Sequence, residues 1–367
     1  MPRSAFLPDE MWPWDMATGT SVRADRRSDP EGWARFARSD APIVTQWDDG
    51  AHRGPGPGSV PTSSSSMPSV VAGMLGELAL APGMRVLELG TGTGWSTALL
   101  AHRLGEDAVV SVEIDEAVAE TARHNLRRAG LHPTLLVGDG TRGHPAGAPY
   151  DRIIATAGLR RIPPALLGQL RPGGLLLAPW GTDYANQDAL LRLTADGEGG
   201  GCGRFLRPLE FMKARAQRSP LPRTEDYVPE DWSLAGPPLG TALAPGDLGD
   251  TAFSPARWAL GLAVPRAVHR LGRQRTGVCA GWWYSLSDRS WAAASWEEGR
   301  EARVWQGGER RLWDAVEDAW RWWDANGRPG HERYGLTVTP DGEHRPWLDS
   351  PAHRVPTAPV GPPLGTQ

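Results

Sequence analysis

The sequence predicts an α/β fold, a mostly parallel sheet with helices on its faces, followed by a small Trp-rich α+β C-terminal domain. Three observations carry this reading. Val86, Leu87 and Leu89 form a short apolar run of the kind a buried strand uses. Gly90, Gly92 and Gly94 follow at alternate positions, and glycine lets a backbone turn sharply and admits a ligand where a Cβ would collide. Residues 95–104 behind them read as a helix, so strand, glycine turn and helix open a nucleotide-binding unit. The spacing is not the dinucleotide G-x-G-x-x-G fingerprint. Far downstream the composition changes, and twelve of the 18 tryptophans lie from Trp232 onwards.

The 367 residues leave room for two domains. A net charge of −4 disfavours a nucleic-acid partner. Lys213 is the sole lysine among 39 basic residues, a bias that reads as composition rather than function. Two cysteines give neither a disulfide framework nor a zinc site. Residues 1–12 lack the apolar core of a signal peptide, and no apolar run approaches a membrane span. The expectation is a cytoplasmic chain, a monomer with no membrane partner. The nine histidines show no ligand spacing, and no metal is assigned.

Taken in order, residues 1–60 read as an irregular segment packing on the cofactor domain, with disorder equally open for residues 1–30. Gly54-Pro-Gly-Pro-Gly58 is not regular structure and is expected to wrap over a surface. Residues 61–213 read as the cofactor domain. Ser63 to Ser66 precede Met67 and Pro68. A proline suits a helix's first turn and a serine ahead of it is a good cap. Four serines in a row point further, to hydroxyls and N–H groups presented to a ligand, although a serine-rich loop with one capping residue stays open.

Residues 108–113 are a second strand ending on Glu113, with Ile114 next. Glu113 stands about twenty residues past the glycines, where such a fold places an acid for the two hydroxyls of a ribose. Asp115 is expected to cap the next helix. Residues 134–140 run a third strand into Gly138, Asp139 and Gly140, where Asp139 is placed to accept from an adenine amino group or is a plain turn aspartate. Residues 150–158 are a fourth strand whose end faces the cofactor mouth, and residues 175–181 a fifth. Segments 189–194 and 204–213 suggest an antiparallel pair closing the sheet. Residues 214–249, dense in proline and glycine, read as a linker or embracing loop. Residues 250–367 read as the Trp-rich C-terminal domain, with an amphipathic helix over 316–323 and a hairpin at 336–347. Its tryptophans are core, or in part line a peptide groove.

The run Glu88, Leu89, Gly90, Thr91, Gly92, Thr93, Gly94 resembles the S-adenosylmethionine loop of class I methyltransferases, whose fold is Rossmann-like. Residues 47–213 more specifically resemble the protein L-isoaspartate (D-aspartate) O-methyltransferase family. The likeness is carried by Ser66-Met-Pro-Ser-Val-Val-Ala72, similar to the family's Ser-x-Pro-x-x-Val-Ala segment, by Ile154-Ala-Thr-Ala157 followed by Ile162-Pro163, and by the run from Gly173-Gly174 to Pro179-Trp-Gly181. The chain departs from the family in carrying Ser64-Ser65-Ser66 where repair enzymes carry Thr-Ile-Ser, and in continuing beyond the sheet. Those features resemble a branch found with ribosomal peptide natural products (graspetides, lasso peptides, lanthipeptides).

The resemblance implies S-adenosyl-L-methionine as cofactor and S-adenosyl-L-homocysteine as product. It implies cofactor contacts from Glu88, Gly90, Thr91, Gly92, Thr93, Gly94, Glu113, Ile114, Asp139 and Gly140. It places the catalytic position on Ser66 with Ser65 and Ser64, and substrate contacts on Met67, Thr156 and Ala157. The branch implies methylation of an aspartate carboxylate in a ring-containing precursor peptide, with closure to an aspartimide (succinimide) or opening to isoaspartate. General isoaspartyl repair and a non-catalytic peptide escort are the competing readings. Base methylation is disfavoured, because Ala155-Thr156-Ala157-Gly158 stands where amino methyltransferases carry Asn/Asp-Pro-Pro-aromatic.

Overall fold

The computed structural model describes residues 1–219, 221–229, 236–273 and 277–360; Trp232 lies outside the described residues. Val86–Leu89 and Val109–Glu113 are buried at every position, the pattern of parallel strands covered on both faces. Thr134–Val137, Val109–Glu113, Val86–Leu89, Tyr150–Ala155 and Leu170–Gly181 lie side by side in that order, all parallel. The sheet then continues antiparallel through Asp188–Ala195, Gly201–Leu209, Tyr334–Val338 and His344–Leu348. The expected mostly parallel sheet is thus a mixed, nine-stranded one. Short connections after Gly181 and Ala195 fold the chain straight back, and only antiparallel pairing permits that.

The C-terminal hairpin does not stand apart either. Cys202 pairs with Thr337 and Gly203 with Leu336, so Tyr334–Val338 extends the main sheet. A second, antiparallel sheet holds Leu239–Gly240, Arg303–Gly307, Trp291–Trp296, Cys279–Ser285 and Ala267–Arg273. One hydrophobic cluster runs from Leu87 and Ile153 through Trp180 and Phe205 to Trp258, Trp313 and Val316. Trp258 stands edge-on to Trp180 at 6.0 Å and to Phe205 at 4.9 Å. Trp283 donates through Nε1 to the Tyr184 hydroxyl at 2.8 Å. Trp258, Trp283, Trp291, Trp313, Trp323 and Trp347 are all buried, which makes these six core residues.

Residues 1–60 are ordered into secondary structure rather than irregular. Glu10–Asp15 pairs with Thr20–Ser21, Ala24–Asp25 and Ile43–Trp47, and Ile43–Trp47 pairs with Pro61–Ser65. Asp29 caps the helix Pro30–Arg38 by accepting from Gly32 N at 2.9 Å, a cap-then-proline signal. Arg3 is buried and donates to five carbonyls, those of Phe36, Ala37, Ser39, Ala41 and Ser66. Burial lowers its guanidinium pKa to about 10.

Three histidines mark the seams of the core. His269 lies between the rings of Tyr184 and Trp283, at 5.0 and 4.9 Å. His331 hydrogen-bonds Gln187, and His344 Nε2 accepts from Ile162 N at 3.1 Å. Burial lowers the imidazole pKa to about 3 for His269 and about 4 for His331 and His344. In the unfolded chain these groups bind protons at about pH 6.5. Below that pH the unfolded state holds more protons, so their contribution to stability is intact above pH 6.5 and is lost as pH falls toward 4. We expect the unfolding free energy to fall from pH 7.5 to pH 5, and His269→Phe to flatten the fall by up to about 2 kcal/mol. Denaturant titrations of both proteins at the two pH values check this; equal slopes with pH would contradict it.

Candidate functional site

The glycine turn is fixed from behind. Glu88 is fully buried and accepts from the hydroxyls of Ser96 (2.6 Å), Thr97 (2.5 Å) and Ser111 (2.8 Å). Burial outweighs these bonds and raises its carboxyl pKa. Its carboxylate is taken up by these hydroxyls behind the cleft rather than in its wall. It is a positioning group that ties the start of helix Trp95–Leu104 to strand Val109–Glu113. Thr91 joins the same cluster through Ser111 at 2.7 Å.

Gly90, Thr91, Gly92 and Thr93 line the cleft. Gly92 has φ +55°, and a Cβ there would lie 3.1 Å from the Ser64 carbonyl. Gly94 is the N-cap of Trp95–Leu104 with φ +87°, a left-handed backbone that calls for glycine.

Glu113 reaches the cleft from its strand end, its Oε2 accepting from Gly92 N at 2.9 Å and its Oε1 from Asp115 N at 3.1 Å. Ile114 beside it is 39% exposed and lines the same wall. Asp139 also lines it, while its Oδ1 caps the next turn, accepting from Thr141 N (2.9 Å) and Thr141 Oγ1 (2.7 Å). One oxygen of Asp139 thus serves the turn. A glycine turn lined up with Glu113, Ile114, Asp139 and Gly140 in one cleft is a set of groups that fits S-adenosyl-L-methionine.

The opposite wall is the serine run. Pro61–Ser65 is an edge strand paired with Ile43–Trp47, not a capping loop. Ser64 and Ser66 are half-buried in the cleft wall. Ser65 is 2% exposed, and its Oγ has no hydrogen-bond partner among the described residues. A buried hydroxyl without a partner beside a cleft is suited to receive one from a ligand. Met67 is the N-cap of helix Pro68–Glu77, makes no side-chain cap bond and does not line the cleft. Its cap position precedes Pro68 as the chain turns away from the strand. Arg3 holds the Ser66 carbonyl at 3.2 Å, and Asp40 Oδ1 accepts from Ser69 N at 2.9 Å. Together they fix the turn.

Thr156 and Ala157 line the cleft between the two walls. The Thr156 hydroxyl donates to Leu89 O at 3.0 Å and also bonds Gly90 O, so it staples the glycine loop. Sequence reasoning missed the closing segment. Phe211, Met212, Lys213, Arg215 and Arg218 all line the cleft. Arg215 pairs with Asp115 (2.7 Å) and Asp49 (2.9 Å), and Arg218 with Asp49 (3.0 Å), bridging the N-terminal sheet to the helix after Glu113. The signal available was the cluster of basic residues at 213, 215 and 218, next to a stretch read as linker.

Glu113→Ala is expected to weaken S-adenosyl-L-homocysteine binding about tenfold or more, roughly 1.4 kcal/mol. Met67→Ala should leave it within about twofold. Calorimetric titration decides this, and equal losses in the two variants would contradict the assignment.

Residues 54–201 match the protein-L-isoaspartate(D-aspartate) O-methyltransferase (PCMT) family. The chain is 46% identical over 126 residues to the protein-L-isoaspartate O-methyltransferase of Pyrococcus horikoshii, covering 34% of this chain and 57% of that relative. It is 46% identical over 139 residues to that of Anaeromyxobacter dehalogenans, covering 37% of this chain and 64% of the relative. The chain thus spans less than two thirds of the length of these relatives. A solved protein-L-isoaspartate O-methyltransferase superposes with a TM-score of 0.51 at 22% identity, over 86% of this chain and 89% of that one. The shared fold thereby extends well past the matched segment into the C-terminal part.

Proposed function

We propose that this protein is an S-adenosyl-L-methionine-dependent carboxyl O-methyltransferase acting on isoaspartyl residues of a protein or peptide. The observation that carries the reading is the placement of Ser64, Ser65 and Ser66 in one cleft with the glycine loop and Glu113, inside the segment that matches the family. When bound, S-adenosyl-L-methionine supplies the sulfonium methyl that a carboxylate oxygen takes up, leaving S-adenosyl-L-homocysteine. The acceptor needs no general base, because a carboxylate is already ionised at neutral pH. The chain's task is to strip water from it and align it. The hydroxyls of Ser65 and Ser66 orient it. The walls at Val71, Met74, Leu75 and Leu159 keep water out.

A narrower reading places the same chemistry on an aspartate of a ring-constrained ribosomal peptide, with the ester closing to an aspartimide. The serine run in place of Thr-Ile-Ser favours it. The C-terminal extension does not add to it, since a solved fold relative extends over the same part.

Mass spectrometry with S-adenosyl-L-methionine and a matched pair of linear peptides, isoaspartyl and aspartyl, tests the main reading. We expect a methyl ester on the isoaspartyl peptide alone. Transfer restricted to a ringed aspartyl peptide would favour the narrower reading, and no transfer to either would contradict both. Ser66→Ala should lower the transfer rate by about 10² and leave S-adenosyl-L-homocysteine affinity within about twofold. If both fall together, the serine is structural.

A further inference from the structure

We propose that Lys213 binds the acceptor carboxylate, making it a specificity-determining residue of the site; this rests on the function proposed above. Lys213 stands in the cleft wall and its side chain is 8% exposed. It pairs through a parallel bridge with Gly158, directly after Thr156 and Ala157. Gly158 N donates to Met212 O at 2.8 Å and Ala214 N to Gly158 O at 3.0 Å, so the backbone on either side of the lysine is clamped. The fit is close, since a Cβ on Gly158 would lie 3.0 Å from Lys213 Cδ.

Its ammonium is held as well as its backbone. Nζ donates to Asp188 Oδ2 at 2.8 Å and to Phe211 O at 3.0 Å. Asp188 is fully buried in the main sheet, and its Oδ2 also accepts from Phe211 N at 3.1 Å. An ammonium has three N–H donors. Two have these partners among the described residues, which leaves one for a ligand in the cleft. A carboxylate is the ligand that such a donor serves best, because a charge-assisted bond is the stronger one.

The residue type supports the same role. Every other basic residue of the chain is arginine, including Arg215 and Arg218 on the same segment, which are spent on Asp49 and Asp115. At position 213 a compact point charge stands in place of the planar fork. A guanidinium is bulkier and presents its donors in a fixed plane. The lysine, anchored by a carboxylate it neutralises, selects a negatively charged acceptor over an uncharged one of the same shape.

The test compares equilibrium binding of two peptides to the S-adenosyl-L-homocysteine complex. One carries an isoaspartyl carboxylate, and the other is identical with that carboxylate replaced by a carboxamide. Wild type should prefer the carboxylate by about tenfold or more. Lys213→Met should bring the two affinities within about twofold of each other, with S-adenosyl-L-homocysteine affinity retained, and Lys213→Arg should recover part of the preference. Because Lys213→Met leaves Asp188 buried and unpaired, the double variant Lys213→Met/Asp188→Asn is measured beside it. A folded single or double variant that discriminates as wild type does overturns the inference while the methylation assay of the wild type still stands. Wild type that neither binds nor methylates the isoaspartyl peptide overturns the functional reading and this inference with it.

Discussion

Glu88 is a carboxyl group placed where no water reaches it, and the geometry of the cofactor wall follows from how it is satisfied. Burying such a group is costly unless hydrogen bonds replace its solvation. The three hydroxyls of Ser96, Thr97 and Ser111 do so from a helix and a neighbouring strand. The beginning of the helix, the strand ending on Glu113 and the glycine turn are thereby locked to one another. Gly92 N is then left pointing at the Glu113 carboxylate, and Thr156 closes the loop from the next strand. The loop is held by these bonds on both sides, and a loop already held in place has less ordering cost to meet on binding.

The acceptor wall is built by a different part of the chain and depends on a different buried charge. Arg3 gathers five carbonyls, four from the end of helix Pro30–Arg38 and the loop behind it and one from Ser66. The N-terminal residues therefore set the height of the serine turn above the glycine loop. Asn125 binds the carbonyls of both Phe6 and Thr93, which joins this segment to the cofactor wall. Arg215 and Arg218 add a third connection over the mouth. The cleft is a junction of three chain segments far apart in sequence, and its shape is sensitive to each.

What was legible in the sequence was local. The apolar run before Gly90, the acid at the end of the second strand and the Gly-Asp-Gly turn announce themselves within ten residues, because strand period and turn chemistry are short-range properties. That the Glu88 carboxylate faces Ser96, Thr97 and Ser111 was not legible, since a motif gives a residue's position and not which way its side chain faces. The N-terminal strands were hidden by Pro13 inside Glu10–Asp15 and by the two-residue lengths of Thr20–Ser21 and Ala24–Asp25. The hairpin at Tyr334–Val338 was recognised as a hairpin, yet its partner is Gly201–Leu209, and no local pattern reports a pairing across so long a separation. Lys213 closes the segment read as the last strand and Arg215 opens the proline-rich stretch, and no local pattern reports that both line the cleft.

On the proposed function, the serine turn and the glycine loop face one reacting pair across a single cleft. A crystal structure of the protein with S-adenosyl-L-homocysteine and an isoaspartyl peptide tests it most directly. We expect the cofactor's ribose on Glu113 and the peptide carboxylate within about 3 Å of the Ser65 or Ser66 hydroxyl, beside the cofactor sulfur. A peptide seated away from the serine turn, with the cofactor bound as expected, would contradict it.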